Sequence, residues 1–106
     1  MSAFPTARVT EALKRAGLLV DVSGAVPERA ADITDDSRAV TPGAMFIAVR
    51  GSMQDGHEYL GDAAARGAAL AVVEDASRTN LPAIVVREGR RAAANAAAAA
   101  FEEPAK

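Results

Sequence analysis

The chain has 106 residues, with 12 Lys and Arg against 14 Asp and Glu, giving a net charge of -2. Half of the residues are hydrophobic and a quarter are charged, the balance of one soluble folded domain rather than a disordered chain. With no cysteine and one histidine, a disulfide framework, a thiolate zinc site, a cysteine nucleophile and a multi-histidine metal cluster are excluded.

A near-neutral charge and 4% aromatic content argue against a dedicated nucleic-acid binder, which would carry a basic face. No apolar run approaches the roughly 20 residues that span a bilayer. The start, Met1-Ser2-Ala3-Phe4-Pro5, lacks the basic then apolar plan of a signal peptide, so the expected compartment is the cytoplasm. The core must be built from small pieces, because 27 residues are alanine and none is tryptophan.

The spacing of Val9, Ala12, Leu13 and Ala16 predicts a helix from Thr6 to Ala16, with Gly17 closing it. Leu18-Leu19-Val20 reads as a short strand. Asp21 to Asp32, with Gly24, Pro27 and several charges, reads as a loop. Ile33-Thr34 is a short extended piece before the polar run Asp35-Asp36-Ser37-Arg38, and Thr41-Pro42-Gly43 is a turn.

Met45 to Val49 is a continuous apolar run, as in a strand covered on both faces. The loop Arg50 to Gly56 follows it. A helix is expected to begin near Asp55 or His57 and to run to Arg66, turning Tyr59, Leu60, Ala63 and Ala64 inward, with Gly67 as its stop. Leu70 to Val73 is the next buried strand, parallel to the last in a βαβ unit. After a loop from Ser77 to Pro82, Ala83 to Val86 is another strand. Arg90 to Phe101 reads as an alanine helix of high propensity with little to bury except Phe101, ended by Pro104. The expected fold is a small single α/β domain, residues 1–106. Its sheet is mixed or mostly parallel, with about four to five strands flanked by helices.

In such sheets ligands bind where loops leave the carboxyl ends of strands. Two loops qualify. In Gly51 to Gly56, glycine lets a ligand approach the backbone, and the amides at the helix start favour an anion. The alternative is that the glycines only make the turn and Asp55 only caps the helix. In Thr34 to Arg38, side-chain oxygens suit a base edge or a ribose hydroxyl, and Arg38 suits a phosphate. The alternative is an Asx turn with Asp36 and Arg38 tied to backbone or to each other. His57 reads as a surface or capping residue, and Arg90-Arg91 as a solvated pair. The chain has neither a Walker A loop nor a dinucleotide fingerprint. Nowhere does a nucleophile stand with a base and an orienting partner.

Ile33 to Gly51, followed by Asp55-Gly56-His57-Glu58-Tyr59, resembles the N-terminal domain of Mur ligases. The pattern is D-S-R-x-V-x-P-G-x-x-F-x-A-x-x-G-x-x-x-D-G-H-x-[FY], that of the MurE and MurF enzymes. Ala63 to Glu74, an A-x-x-x-G-A step then a hydrophobic strand and an acid, continues the likeness, as does Leu81 to Val86. The ending Ala99-Ala100-Phe101-Glu102-Glu103-Pro104 is similar to the close of this domain in MurE ligases. Two departures are Glu88-Gly89-Arg90-Arg91, in place of D-[TS]-R-x-A-[LM], and a last helix poor in leucine.

The resemblance implies the first of three domains, the one that binds UDP, with the central ATPase domain and the C-terminal amino-acid domain absent. The whole MurE enzyme would join meso-diaminopimelate or L-lysine to UDP-MurNAc-L-Ala-D-Glu through an acyl phosphate, using ATP and magnesium. This domain alone would bind no cofactor, hold no metal and carry no catalytic residue. By the same resemblance Asp35 and Ser37 contact the uridine part of the substrate, and Ser52, Met53 and Gln54 line that site. Gly51 lets the backbone approach, and Thr34 and Arg38 are neighbours. Asp35 stands where the family has an apolar or small residue, so its contact would be through the backbone. The implied partners are the UDP-MurNAc-dipeptide and the two other domains, with no nucleic acid and no membrane. Two further readings stay open: the same domain of MurF, whose ligase adds D-Ala-D-Ala, and a stand-alone interaction module of this fold.

Overall fold

A computed structural model describes residues 3–48 and 56–101. The predicted end of the third strand at Val49, the stretch Gly51 to Asp55, and Pro104 lie outside the described residues.

The chain enters through β1 (Phe4–Pro5) and turns at once into α1 (Thr6–Arg15). Pro5 suits that junction, since its missing N–H would have had no helical acceptor. Val9 and Leu13 of α1 face inward and are buried, as their spacing requires. The helix ends in a Schellman motif. Gly17 adopts φ 75°, its N–H bonds to the carbonyl of Lys14, and that of Leu18 bonds to Leu13 at 2.9 Å.

β2 (Leu19–Ser23) then lies at one edge of a five-stranded sheet. It is longer than expected, and β3 (Arg29–Ala30), which pairs antiparallel with β1, also falls in the stretch expected to be loop. Asp21, Ser23 and Arg29 hide both strands from an apolar pattern, because a strand at an edge need not bury alternate residues. The edge is guarded. A register shift falls between Leu19 and Asp21, and the Asp21 carboxylate accepts the N–H of Val22 at 2.8 Å, so that donor is occupied by the chain itself.

β4 (Ile33–Thr34), β5 (Met45–Ile47), β6 (Leu70–Val73) and β7 (Ala83–Val86) complete the sheet, in the order β2-β7-β6-β5-β4. The pairs β4·β5, β5·β6 and β6·β7 are parallel and β2·β7 is antiparallel. Between β5 and β6 a 3-10 turn (Gly56–Tyr59) leads into α2 (Leu60–Ala65). Gly67, at φ 103°, ends that segment, and an added Cβ there would stand 3.0 Å from Cα of Pro42. Only glycine fits both the dihedral and the gap.

The sheet is covered on both sides, which explains the unbroken apolar runs. Met45, Ile47, Leu70, Val72 and Ile84 point to the face that also buries Val9 and Leu13 of α1. Phe46, Ala48, Ala71 and Val73 point the other way, toward Leu60 and Ala63 of α2.

The last helix, α3 (Gly89–Ala100), packs on α1. Here the expectation fails in its content: Phe101 is 58% exposed, while Ala92, Ala96, Ala99 and Ala100 are buried. Alanine is the packing residue of this helix, because a methyl group lets two helix backbones approach closely. Glu88 precedes α3 in the left-handed region at φ 51°, and the N–H of Gly89 donates to the Glu74 carboxylate at 3.3 Å. The helix therefore begins one residue before Arg90.

Candidate functional site

The parallel strands β4 and β5 end on the same edge of the sheet, where Thr34 hands the chain to the polar run. Its hydroxyl accepts the N–H of Asp36 at 3.1 Å. Asp36 then caps a short 3-10 turn, Ser37–Ala39. Its carboxylate accepts the backbone N–H of Arg38 at 2.9 Å and the guanidinium of Arg38 at 3.1 and 3.2 Å. The local Asx turn and ion pair set against a ligand role in the sequence are therefore formed. They preorganise the loop rather than remove it, since Asp35 is exposed beside them and the outer side of Arg38 faces solvent.

Ser37 is buried. Its hydroxyl lies beside the carboxylate of Asp62 on α2, which accepts from Nε of Arg66 at 3.1 Å. The turn Ser37–Ala39 packs on α2, so the loop after β4 and the helix after β5 stand side by side. Between them lies an open cleft of about 570 Å³ lined by Asp35, Asp36, Ser37, Arg38, Tyr59 and Asp62. A second cleft of about 370 Å³ adjoins it, with Thr34 and Asp35 at its rim and Ile33, Ile47, Ala97 and Phe101 among its apolar walls. Asp35 lines both.

Three exposed carboxyls are held below the usual carboxylate range. Asp36 is lowered chiefly by the Arg38 side chain and its backbone N–H. Asp62 is lowered by the Ser37 hydroxyl and then by Arg66. Asp75 is lowered by the hydroxyl and N–H of Ser77. A carboxylate that is more acidic in the folded state stabilises the fold above its unfolded value, near about 4. That stabilisation disappears as pH falls through the folded value. The urea midpoint should thus drop between pH 5 and pH 3, and Asp36→Asn combined with Asp62→Asn should shrink the drop. An equal drop in the double variant would show that these groups do not carry it.

Four of the eight residues singled out in the sequence meet at these clefts: Thr34, Asp35, Ser37 and Arg38. Gly51, Ser52, Met53 and Gln54 lie outside the described residues. Tyr59 and Asp62 escaped the sequence reading. Tyr59 was expected inward, but the 3-10 start shifts the helical phase, so Leu60 and Ala63 are buried while Tyr59 and Ala64 are exposed. The only sequence signal for Asp62 was its spacing of four from Arg66. His57 is not a surface residue: it is 4% exposed, and its Nε2 accepts backbone N–H bonds from Glu74 and Asp75. Both bonds reach the end of β6 rather than the start of the helix that the ring was expected to cap. Arg90 and Arg91 are exposed, as expected, and Arg91 pairs with Glu88 at 3.2 Å. Among the described residues no group of three or more His, Cys, Asp or Glu could hold a metal ion, and no helix is long and apolar enough to cross a membrane.

Comparison with known proteins decides the family. A profile of the Mur ligase family, catalytic domain, matches residues 30–105. The chain belongs to the Mur ligase family. A UDP-N-acetylmuramyl-tripeptide synthetase of Roseiflexus sp. (strain RS-1) is 47% identical over 79 residues, which is 72% of this chain and 16% of that protein. A UDP-N-acetylmuramoyl-L-alanyl-D-glutamate--2,6-diaminopimelate ligase of Chlorobaculum tepidum is 38% identical over 95 residues, 85% of this chain and 19% of the relative. A UDP-N-acetylmuramoyl-tripeptide--D-alanyl-D-alanine ligase of Mycobacterium leprae is 43% identical over 86 residues, 76% of this chain and 15% of that one. The chain thus spans less than a fifth of the length of these relatives. A crystal structure of MurF from Acinetobacter baumannii superposes with a TM-score of 0.76 at 21% identity, over 93% of this chain and 21% of that one. That likeness concerns the fold, and it agrees with the small α/β domain and mixed sheet expected from the sequence.

Proposed function

We propose that residues 1–106 form the N-terminal, nucleotide-anchoring domain of a Mur ligase of the MurE type. In this role the domain holds the uridine end of UDP-MurNAc-L-Ala-D-Glu in the cytoplasm. The central and C-terminal domains of the same ligase then join a diamino acid to the peptide, at the expense of ATP. Support for the MurE type comes from the activities that name the Roseiflexus and Chlorobaculum relatives. MurF is the second reading, favoured by the Mycobacterium leprae relative. Both place the same nucleotide on the same loops.

The observation that carries the proposal is the packing of the turn Ser37–Ala39 on α2, which builds one cleft from the D-S-R loop and that helix. The cleft has three carboxylates, Asp35, Asp36 and Asp62, against the guanidinium of Arg38. Such a surface suits the neutral end of a nucleotide, whose ribose hydroxyls and uracil N–H are donors. A diphosphate placed directly on it would be repelled. Phosphate is better served outside this cleft, by the stretch after β5 that includes Ser52, Met53 and Gln54. The chain contains no phosphate-binding loop of the G-x-x-x-x-G-K-[ST] type, so ATP and magnesium are assigned to the rest of the ligase. No reacting group is assigned to this domain; its part is to orient the substrate by its far end.

Calorimetry tests this. UDP should bind the purified chain weakly, ATP should not compete with it, and Ser37→Ala should weaken UDP about tenfold. Equal competition by ATP, or an unchanged affinity in the Ser37 variant, would remove the proposed site.

A further inference from the structure

His57 has a role that neither the family likeness nor the cleft lining assigns. The ring is buried in the 3-10 turn that opens into α2. Its Nε2 accepts the N–H of Glu74 at 3.0 Å and the N–H of Asp75 at 3.2 Å. Both donors follow the last residue of β6, so they have left the sheet ladder and would otherwise need water. A ring nitrogen that accepts carries no hydrogen, which makes the imidazole neutral with its proton on Nδ1. Two residues beyond His57 stands Tyr59 and five beyond stands Asp62, both lining the cleft. Asp62 in turn lies beside the Ser37 hydroxyl. The ring thus anchors to the end of β6 the segment that continues into the wall facing the D-S-R loop.

We propose that His57 is a positioning residue of the cleft: by accepting two amide hydrogens at the end of β6, its neutral ring sets where Tyr59 and Asp62 stand against Ser37. Loss of the acceptor should loosen this wall of the cleft. The effect on ligand binding rests on the nucleotide-anchoring role proposed above; the effect on the cleft itself does not.

Two variants separate the possibilities. His57→Gln keeps an acceptor oxygen at the same reach and does not titrate. His57→Leu keeps volume and accepts nothing. In the ligand-free chain at pH 7.5, long-range ¹H–¹⁵N spectra of the ring should show Nε2 without a proton. At the same pH the amides of Ser37, Tyr59 and Asp62 should keep their wild-type positions in His57→Gln and be displaced in His57→Leu. A proton on Nε2, displaced amides in His57→Gln, or unmoved amides in His57→Leu would overturn the proposal. If His57→Leu does not fold, the glutamine comparison still decides.

UDP affinity gives the second readout. At pH 7.5 His57→Leu should bind UDP about tenfold more weakly than His57→Gln. Equal affinities would overturn the proposal. If no variant binds UDP at any pH, the nucleotide-anchoring role falls, while the ligand-free spectra still decide the role of His57.

Discussion

Replacing Phe46 with alanine should cost the domain about 3–5 kcal/mol and lower its thermal midpoint by about 12 °C or more. Phe46 is fully buried on the α2 side of the sheet. Its companions there include Ala44, Ala48, Ala63, Ala68, Ala71 and Ala83, with Leu60 and Val73 as larger partners. Methyl groups on short stems cannot lean into the space that a phenyl ring leaves. The cavity would stay open, which puts the loss toward the upper part of the usual range. A domain of this size has only about 5–15 kcal/mol of total stability. The variant should therefore melt well below the wild type. Circular dichroism melts and urea midpoints read this directly. A shift below about 4 °C would mean that this half of the core is not closed around Phe46.

The opposite substitution should also destabilise. Ala96→Leu adds volume where α3 meets α1, at a position with no exposure, and should cost about 1–3 kcal/mol by overpacking. Leucine and alanine are both strong helix formers, so the loss would report packing rather than propensity. Ala98→Leu is the control. Residue 98 lies on the solvent side of the same helix, and the same change there should stay within about 0.5 kcal/mol. If both positions tolerate leucine equally, α3 does not pack on α1 through its alanines.

These two experiments also mark where the sequence was legible and where it was not. β5, β6 and β7 stood out because a strand covered on both faces has no polar positions to interrupt it. The helix at Thr6 was readable because one face is wet and the other dry. α3 was recognised as a helix from its composition, but a run of alanines has no polar face to betray which side is buried. Phe101, the large apolar residue that follows it, was the one expected to be buried, and it is exposed. β2 was read only as far as Val20, and β3 was lost, for the converse reason: edge strands carry Asp, Ser and Arg without penalty.

At the site, Ser37 and Asp35 were legible because they lie within five residues of each other in a motif. Tyr59 and Asp62 were not, since they reach the cleft only after the chain has made β5 and returned through α2. His57 shows the same limit. A lone histidine beside a glycine suggests exposure, and nothing local in the sequence tells that two amides 17 and 18 residues onward point at its ring.

The central claim is that the loop Asp35 to Arg38 and the α2 wall form one uridine site. A ¹H–¹⁵N titration of the chain with UDP, and with ATP as control, tests it most directly. The account predicts that UDP shifts the amides of Asp35, Asp36, Ser37 and Arg38 together with those of Tyr59 and Asp62, saturating with one constant, while ATP leaves them in place. UDP shifts confined to residues away from both loops, or no shifts at millimolar UDP, would contradict it.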